Sequence, residues 1–264
     1  GADMLDRRRF MAISGMTGVA SLGALRAAAD VETGFARDYY ELRTYQIETE
    51  QQKTAFGRFM GDAAIPALNR IDISPVGVFQ PPDEIGPIHV LLRHRALESV
   101  GIATYQLLAD DEFLRKGAAV LDAPSTSPAY ARVESSLMAA FTGMPHLETP
   151  ASSEGRVFQL RIYESPSIKT GQKKIEMFNT AELAIFRKTG LNPVFFGETL
   201  VGAKMPNLTY MLGFDSVEEQ KAAWKRFSSD PDWRKLRAMP EYADKKILCG
   251  ITNLLLKAAD CSQI

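Results

Sequence analysis

The chain repeats itself, and this limits its fold more than any other feature. Tyr40-Glu41-Leu42-Arg43-Thr44-Tyr45 returns as Phe158-Gln159-Leu160-Arg161-Ile162-Tyr163, with Arg43 and Arg161 118 positions apart (161 − 43). Pro75-Val76 and Pro193-Val194 keep that offset, as do Phe59 with Met177, Met60 with Phe178, Ala63 with Ala181 and Leu68 with Phe186. Later the spacing drifts: Ser99-Val100 answers Ser216-Val217 at 117, and Phe113 answers Trp233 at 120. Small drifts belong in loops. A unit of about 115 residues points to duplicated domains rather than a solenoid. The segment Thr149-Pro150-Ala151-Ser152-Ser153-Glu154-Gly155 has the small and breaker residues of a linker.

Both copies spell the same order of elements. In the first, 39–47 alternates as a strand, 51–70 has apolar residues at helical spacing, 76–79 and 89–92 read as strands, 98–109 and 111–121 as helices, and a last strand falls within 133–142. In the second, strand 157–164 precedes helix 172–188, strands 193–201 and 207–214, helices 216–227 and 231–238, and strand 246–256. The order β-α-β-β-α-β is the ferredoxin-like plan, an α+β class with helices on one sheet face. Two such tandem units can cover each other's bare sheets face to face, an intrachain pseudo-dimeric α/β barrel. The expected divisions are a leader at 1–29, the first unit at 30–148, the linker at 149–155, the second unit at 156–259 and a tail at 260–264.

Composition removes several function classes. Lys and Arg number 31 against 32 Asp and Glu, a net charge of −1, which does not suit neutralising nucleic-acid phosphates. With 2 Cys and 3 His, neither a disulfide framework nor a Cys-rich zinc site is available, and no metal site is expected. The first residues read as an address: Arg7-Arg8-Arg9, then an almost uncharged run from Phe10 to Leu25, then Arg26 and Ala27-Ala28-Ala29. Arg7-Arg8-x-Phe10 resembles a twin-arginine export signal, which implies a periplasmic location and no stable membrane anchor after cleavage.

The Tyr-Glu-Leu-Arg-x-Tyr strand, the run Leu208-Thr209-Tyr210-Met211-Leu212-Gly213-Phe214-Asp215-Ser216, Trp224 and Asp230-Pro231-Asp232-Trp233 together resemble the NIPSNAP family. The resemblance covers residues 156–256 and, in the first copy, mainly the opening strand and helix; there Asp110-Asp111-Glu112-Phe113 departs from the pattern. It implies the ferredoxin-like barrel and homo-oligomer formation, and leaves the activity and cofactors unassigned.

In the opening strands Tyr40, Leu42 and Thr44, with Phe158, Leu160 and Ile162, form the apolar parity, expected to face the helices. Glu41, Arg43 and Tyr45, with Gln159, Arg161 and Tyr163, would then point between the sheets. A buried Arg there must be paired; Glu41 is the natural partner of Arg43. Arg43, Tyr45, Arg161 and Tyr163 can instead line a pocket for an anionic or polar aromatic ligand, Arg offering a rigid fork of donors and Tyr a flat wall with a hydroxyl. His89 is the histidine best placed to join such a site as a haem ligand or acid/base, and otherwise reads as a hydrogen-bonded core or rim residue. Asp230 should cap a helix beginning at Pro231. Cys249 and Cys261 read as thiols or, after export, a disulfide. With no nucleophile elbow, P-loop or dinucleotide fingerprint, the leading expectation is small-molecule binding in the barrel. The alternatives are a cofactor-light or haem-linked oxidoreductase or isomerase, and a scaffold or interaction protein.

Overall fold

The computed structural model describes residues 37–264 apart from 152 and 154. The leader, its export route and its cleavage lie outside the described residues. The first half runs β1 (Tyr39–Tyr45), α1 (Glu50–Phe59), a π turn (Met60–Ala64), α2 (Ile65–Arg70), β2 (Val76–Gln80), β3 (Ile88–His94), α3 (Leu97–Leu108), α4 (Asp111–Leu121) and β4 (Val133–Ala140). The second runs β5 (Val157–Glu164), α5 (Ile168–Met177), a π turn (Phe178–Glu182), α6 (Leu183–Thr189), β6 (Asn192–Val201), β7 (Asn207–Phe214), α7 (Val217–Ser229), α8 (Pro231–Arg237), a 3₁₀ turn (Pro240–Tyr242), α9 (Asp244–Ile247) and β8 (Gly250–Ala258).

All eight strands form one closed antiparallel barrel in the order β1-β3-β2-β8-β5-β7-β6-β4. Within each half the order is the same: β4-β1-β3-β2 and β8-β5-β7-β6. The two sheets therefore meet edge to edge, at β2–β8 and β4–β6, and not as separate sheets face to face. Closure gives part of each edge strand a hydrogen-bonded neighbour, which two stacked open sheets would not. The β2–β8 seam pairs only Phe79 with Ala258 and Gln80 with Lys257. The chain end extends it: Ala259 N–H donates to Val78 O, Gln263 N–H to Val76 O, and Val78 N–H to the Ser262 hydroxyl. At the other seam a Cβ on Gly197 would lie 2.8 Å from Met138 Cβ, so the close strand approach there requires glycine.

The parity expected from the sequence is inverted. Tyr40, Leu42, Phe158 and Leu160 pack with Phe79, Leu91, Met138, Val194, Phe195, Met211 and Leu256, all from strands, and so fill the lumen. Tyr45 belongs to the cluster built with α1, α2 and α3, and Tyr163 to the one built with α5–α8. Polar groups on this face are paired, Arg93 with Asp38 at 3.0 Å and His89 with Thr44 at 3.1 Å, while the apolar set fills the space between the strands. The helix layer has an open margin, and Arg43 keeps 23% of its side chain exposed there.

Local chemistry sets the helix ends. Thr49 accepts from Gln52 N–H, Ser167 and Thr170 form a reciprocal cap, and Asp110 accepts from Phe113 N–H. Asp230 accepts from Asp232 and Trp233 N–H ahead of Pro231, as the sequence predicts. Two details differ from expectation. The first helix of each half is interrupted by a π turn at matched positions (60–64 and 178–182). The α3 and α7 caps, Ala96 and Ser216, stand 120 apart, so Ser99 answers Glu219 and not Ser216.

His89 lies on the lumen side of β3, at the parity of Leu91, with Nδ1 3.1 Å from the Thr44 hydroxyl. Burial lowers its pKa to about 4. A base with a depressed folded pKa leaves stability intact above the unfolded value near 6.5 and withdraws it as pH falls toward 4, by about 3 kcal/mol for a shift of this size. Urea titrations at pH 7 and pH 4 should show the wild type losing about that much more stability than His89→Gln; parallel losses in the two proteins would contradict this environment for His89.

Candidate functional site

A cavity of about 290 Å³ lies between sheet and helices in the first half. Its floor is Arg43 and Tyr45 from β1 with Val90 and Leu92 from β3; Phe59, Met60, Ala64 and Leu68 come from the π-interrupted helix, Thr104, Leu107 and Leu108 from α3, Phe113, Val120 and Leu121 from α4, and Tyr130 from the loop before β4. Leu108 and Leu121 are 56% and 39% exposed, which puts its mouth between α3 and α4.

The matched space of the second half is full. Strand register sets Val78 opposite Val90 in the first half and Phe196 opposite Tyr210 in the second. Phe196 and Tyr210 stack with ring centroids 4.6 Å apart. From the helices, Phe178, Phe186, Trp224 and Phe227 answer Met60, Leu68, Thr104 and Leu107. Phe186 packs against Phe178, Trp224 and Phe227 with centroids 5.6, 5.9 and 5.0 Å away. One scaffold thus carries six bulky aromatics in one half and six smaller side chains in the other. The cavity is the volume left by that difference.

The polar groups differ as sharply. Arg43 donates through Nε and Nη2 to the two oxygens of Glu41, at 2.7 and 2.9 Å. This is the pairing expected from the sequence, in the helix layer instead of between sheets. Glu41 also accepts from the Ser135 hydroxyl at 2.8 Å, and His94 Nε2 stands 3.6 Å from its second oxygen. Burial opposes ionisation of Glu41, but His94, Arg43 and Ser135 outweigh it and bring the carboxyl down to about 2. Tyr45 is pushed up by burial, against the opposing pull of the Arg43 charge.

In the second half Arg161 has no carboxylate beside it on the strand: its guanidinium lies 4.6 Å over Trp224 and 5.3 Å over Tyr163. Tyr163 accepts from the Tyr210 hydroxyl at 2.9 Å, and burial pushes its pKa up to about 12. Below them Lys174 and Glu182 form a buried pair at 2.8 Å, with Lys174 Nζ 4.7 Å from the Phe178 ring.

The five residues singled out from the sequence therefore occupy three places. Arg43 and Tyr45 line the cavity; Arg161 and Tyr163 belong to the filled half; His89 faces the packed lumen with only 5% of its surface exposed. A haem macrocycle reaching His89 would have to displace lumen side chains, so His89 lies apart from both Arg–Tyr pairs. Among the described residues no three His, Cys, Asp or Glu side chains gather as a metal site, and Cys249 and Cys261 are free thiols. No described helix is long and apolar enough to cross a membrane. Thr104, Val90, Leu107 and Tyr130 were not foreseen. Their signal lay in comparing the halves for bulk, and the 117 offset hid it by setting Leu107, not Thr104, against Trp224. Wider depressions of about 400 and 430 Å³ lie at the linker and beside Arg37 at the barrel end, but polar, exposed side chains line much of both.

Residues 158–263 match the NIPSNAP family. The matched stretch spans the second half and the chain end that completes the β2–β8 seam. A NIPSNAP family protein from Agrobacterium tumefaciens is 18% identical over 41% of this chain and 98% of its own, with a TM-score of 0.37. Across both halves the fold is shared with a protein from Lactobacillus acidophilus described as a "putative monooxygenase": TM-score 0.57, 10% identity, 84% of this chain and 94% of that one. A similarly described protein from Fusobacterium nucleatum gives 0.55, 6%, 86% and 94%. No curated protein matches the chain.

The low Glu41 pKa has a sign that can be measured. Its stabilisation is complete above the unfolded value near 4.5 and is lost as pH falls toward 2, about 3 kcal/mol in all. Acid unfolding of Glu41→Gln should therefore be flatter than wild type across that window; identical acid limbs would remove Glu41 from the ion pair.

Proposed function

We propose that the first half binds a flat, mainly apolar small molecule carrying an oxygen acceptor, and that the second half serves as its filled, load-sharing counterpart. The observation behind this reading is the contrast between one open and one filled sheet–helix layer on the same scaffold. An apolar cavity of about 150 Å³ holds benzene; 290 Å³ suits a body of about two fused rings. Phe59, Phe113 and Tyr130 offer faces and edges to such a body, and Arg43 with Tyr45 supplies the polar anchor. The matched π turns, shared strand order and repeated strand sequence support an origin of both halves in one duplicated unit.

A second reading, oxygen-dependent oxidation of the bound molecule, is supported by the fold shared with the two monooxygenase-described proteins and by a guanidinium able to hold a developing oxyanion. For export, the support is the Arg7-Arg8-x-Phe10 leader pattern alone.

2-Naphthol is a suitable probe. Calorimetry on the full chain should detect binding, Thr104→Trp should abolish it by importing the second half's bulk, and Arg43→Leu should weaken it roughly tenfold, the worth of one charge-assisted hydrogen bond. Binding that survives Thr104→Trp would place the ligand elsewhere. Oxygen uptake on adding the probe that disappears in Arg43→Leu would favour the oxidative reading. Replacing Arg7 and Arg8 by Lys should leave the protein in the cytoplasmic fraction of the expressing cell; unchanged export would dismiss the twin-arginine route.

A further inference from the structure

The chain contains its own natural comparison for the cavity's arginine. Arg43 and Arg161 occupy the same strand position, yet their guanidinium groups go to different places. Arg43 is fastened by two hydrogen bonds to Glu41. At Glu41's position the second half has Gln159, which donates to Asn253 at 2.7 Å and accepts from Trp224 Nε1 at 2.6 Å. Released from any carboxylate on the strand, Arg161 lies on the indole of Trp224, its buried Nε without a partner.

Glu41 is itself braced from three strands. From β4 the Ser135 hydroxyl donates to it, from β1 Arg43 does, and from β3 His94 Nε2 faces it. His94 is completely buried, and its Nδ1 is 2.7 Å from Ser99 Oγ at the start of α3. In the second half Phe214 stands at the position of His94 and Asn253 at that of Ser135, so the whole brace is confined to the half with the cavity.

We propose that Glu41 is the positioning residue of the cavity, and that by neutralising Arg43 it selects an uncharged oxygen-bearing ligand over a carboxylate. This rests on the cavity being a binding site. Two of the five guanidinium donors are spent on Glu41, and the others remain on a residue that lines the cavity. With the Glu41–Arg43 pair neutral overall, a carboxylate ligand would enter as an uncompensated charge in an apolar space, which is costly. A phenol or ketone oxygen takes the hydrogen bond without that cost. Glu41 reaches the ligand only through Arg43.

The experiment uses the full chain with naphthalene, 2-naphthol and 2-naphthoate as probes. Wild type should bind 2-naphthol roughly tenfold more tightly than either of the other two, the scale of a charge-assisted hydrogen bond. Glu41→Gln, the residue found in the matched position, frees the Arg43 charge: 2-naphthoate should tighten and 2-naphthol weaken, so that the order of the two reverses. His94→Phe, again the second half's residue, should move the ratio the same way by a smaller factor. A merely structural role would weaken all three probes together. A folded Glu41→Gln protein that keeps the wild-type order overturns the inference. If that variant fails to fold, an unchanged order in His94→Phe does so. Should wild type bind none of the three, the binding reading itself fails. If wild type binds 2-naphthol and Thr104→Trp removes it, while Glu41→Gln leaves the order untouched, the cavity stands and only the role of Glu41 falls.

Discussion

Closure of the sheet governs the rest of this molecule. Each half alone would be a four-stranded antiparallel sheet with helices on one face, an apolar bare face and two unpaired edges. Joining the halves at β2–β8 and β4–β6 answers both problems at once. The edges pair over part of their length, and Tyr40, Leu42, Phe158, Leu160 and their neighbours are sealed in the lumen. Arg43, Tyr45, Arg161 and Tyr163, at the opposite parity, are thereby turned toward the helices.

Within that frame the halves differ in side-chain bulk and charge. The second half is packed with edge-to-face aromatics around Phe186, with Arg161 on Trp224 and a buried Lys174–Glu182 pair. The first half has Val, Met, Leu and Thr at the corresponding places and retains an ionised Glu41–Arg43 pair beside the space that results. The π turns at 60–64 and 178–182 occur in both, so they belong to the shared scaffold and do not distinguish the halves.

Much of this was legible in the residues. A Leu-Arg-x-Tyr strand recurs in both halves, the pattern over 207–214 matches the limits of β7, and the Asp230-Pro231 helix start follows from capping chemistry. The Glu41–Arg43 pair was legible because a half-buried Arg two residues from a Glu on one strand face has an obvious partner. The π turns were not, since the apolar spacing over 51–70 is satisfied by an uninterrupted helix. The last strand begins at Gly250, later than its apolar pattern suggests, because the residues before it turn through Pro240–Tyr242 and Asp244–Ile247 to bury Tyr242 and Ile247 against the second-half core.

The sequence by itself determined that a Leu-Arg-x-Tyr strand recurs, which strands and helices surround each copy, and where Asp230 starts a helix, because periodicity and capping act over a few residues. Only the tertiary structure decided which strand face became the lumen, that His89 lies apart from the arginines, and that one half is open while the other is filled. Those outcomes depend on register across the barrel and on the summed volume of side chains from five separate elements, and no local stretch of chain encodes either.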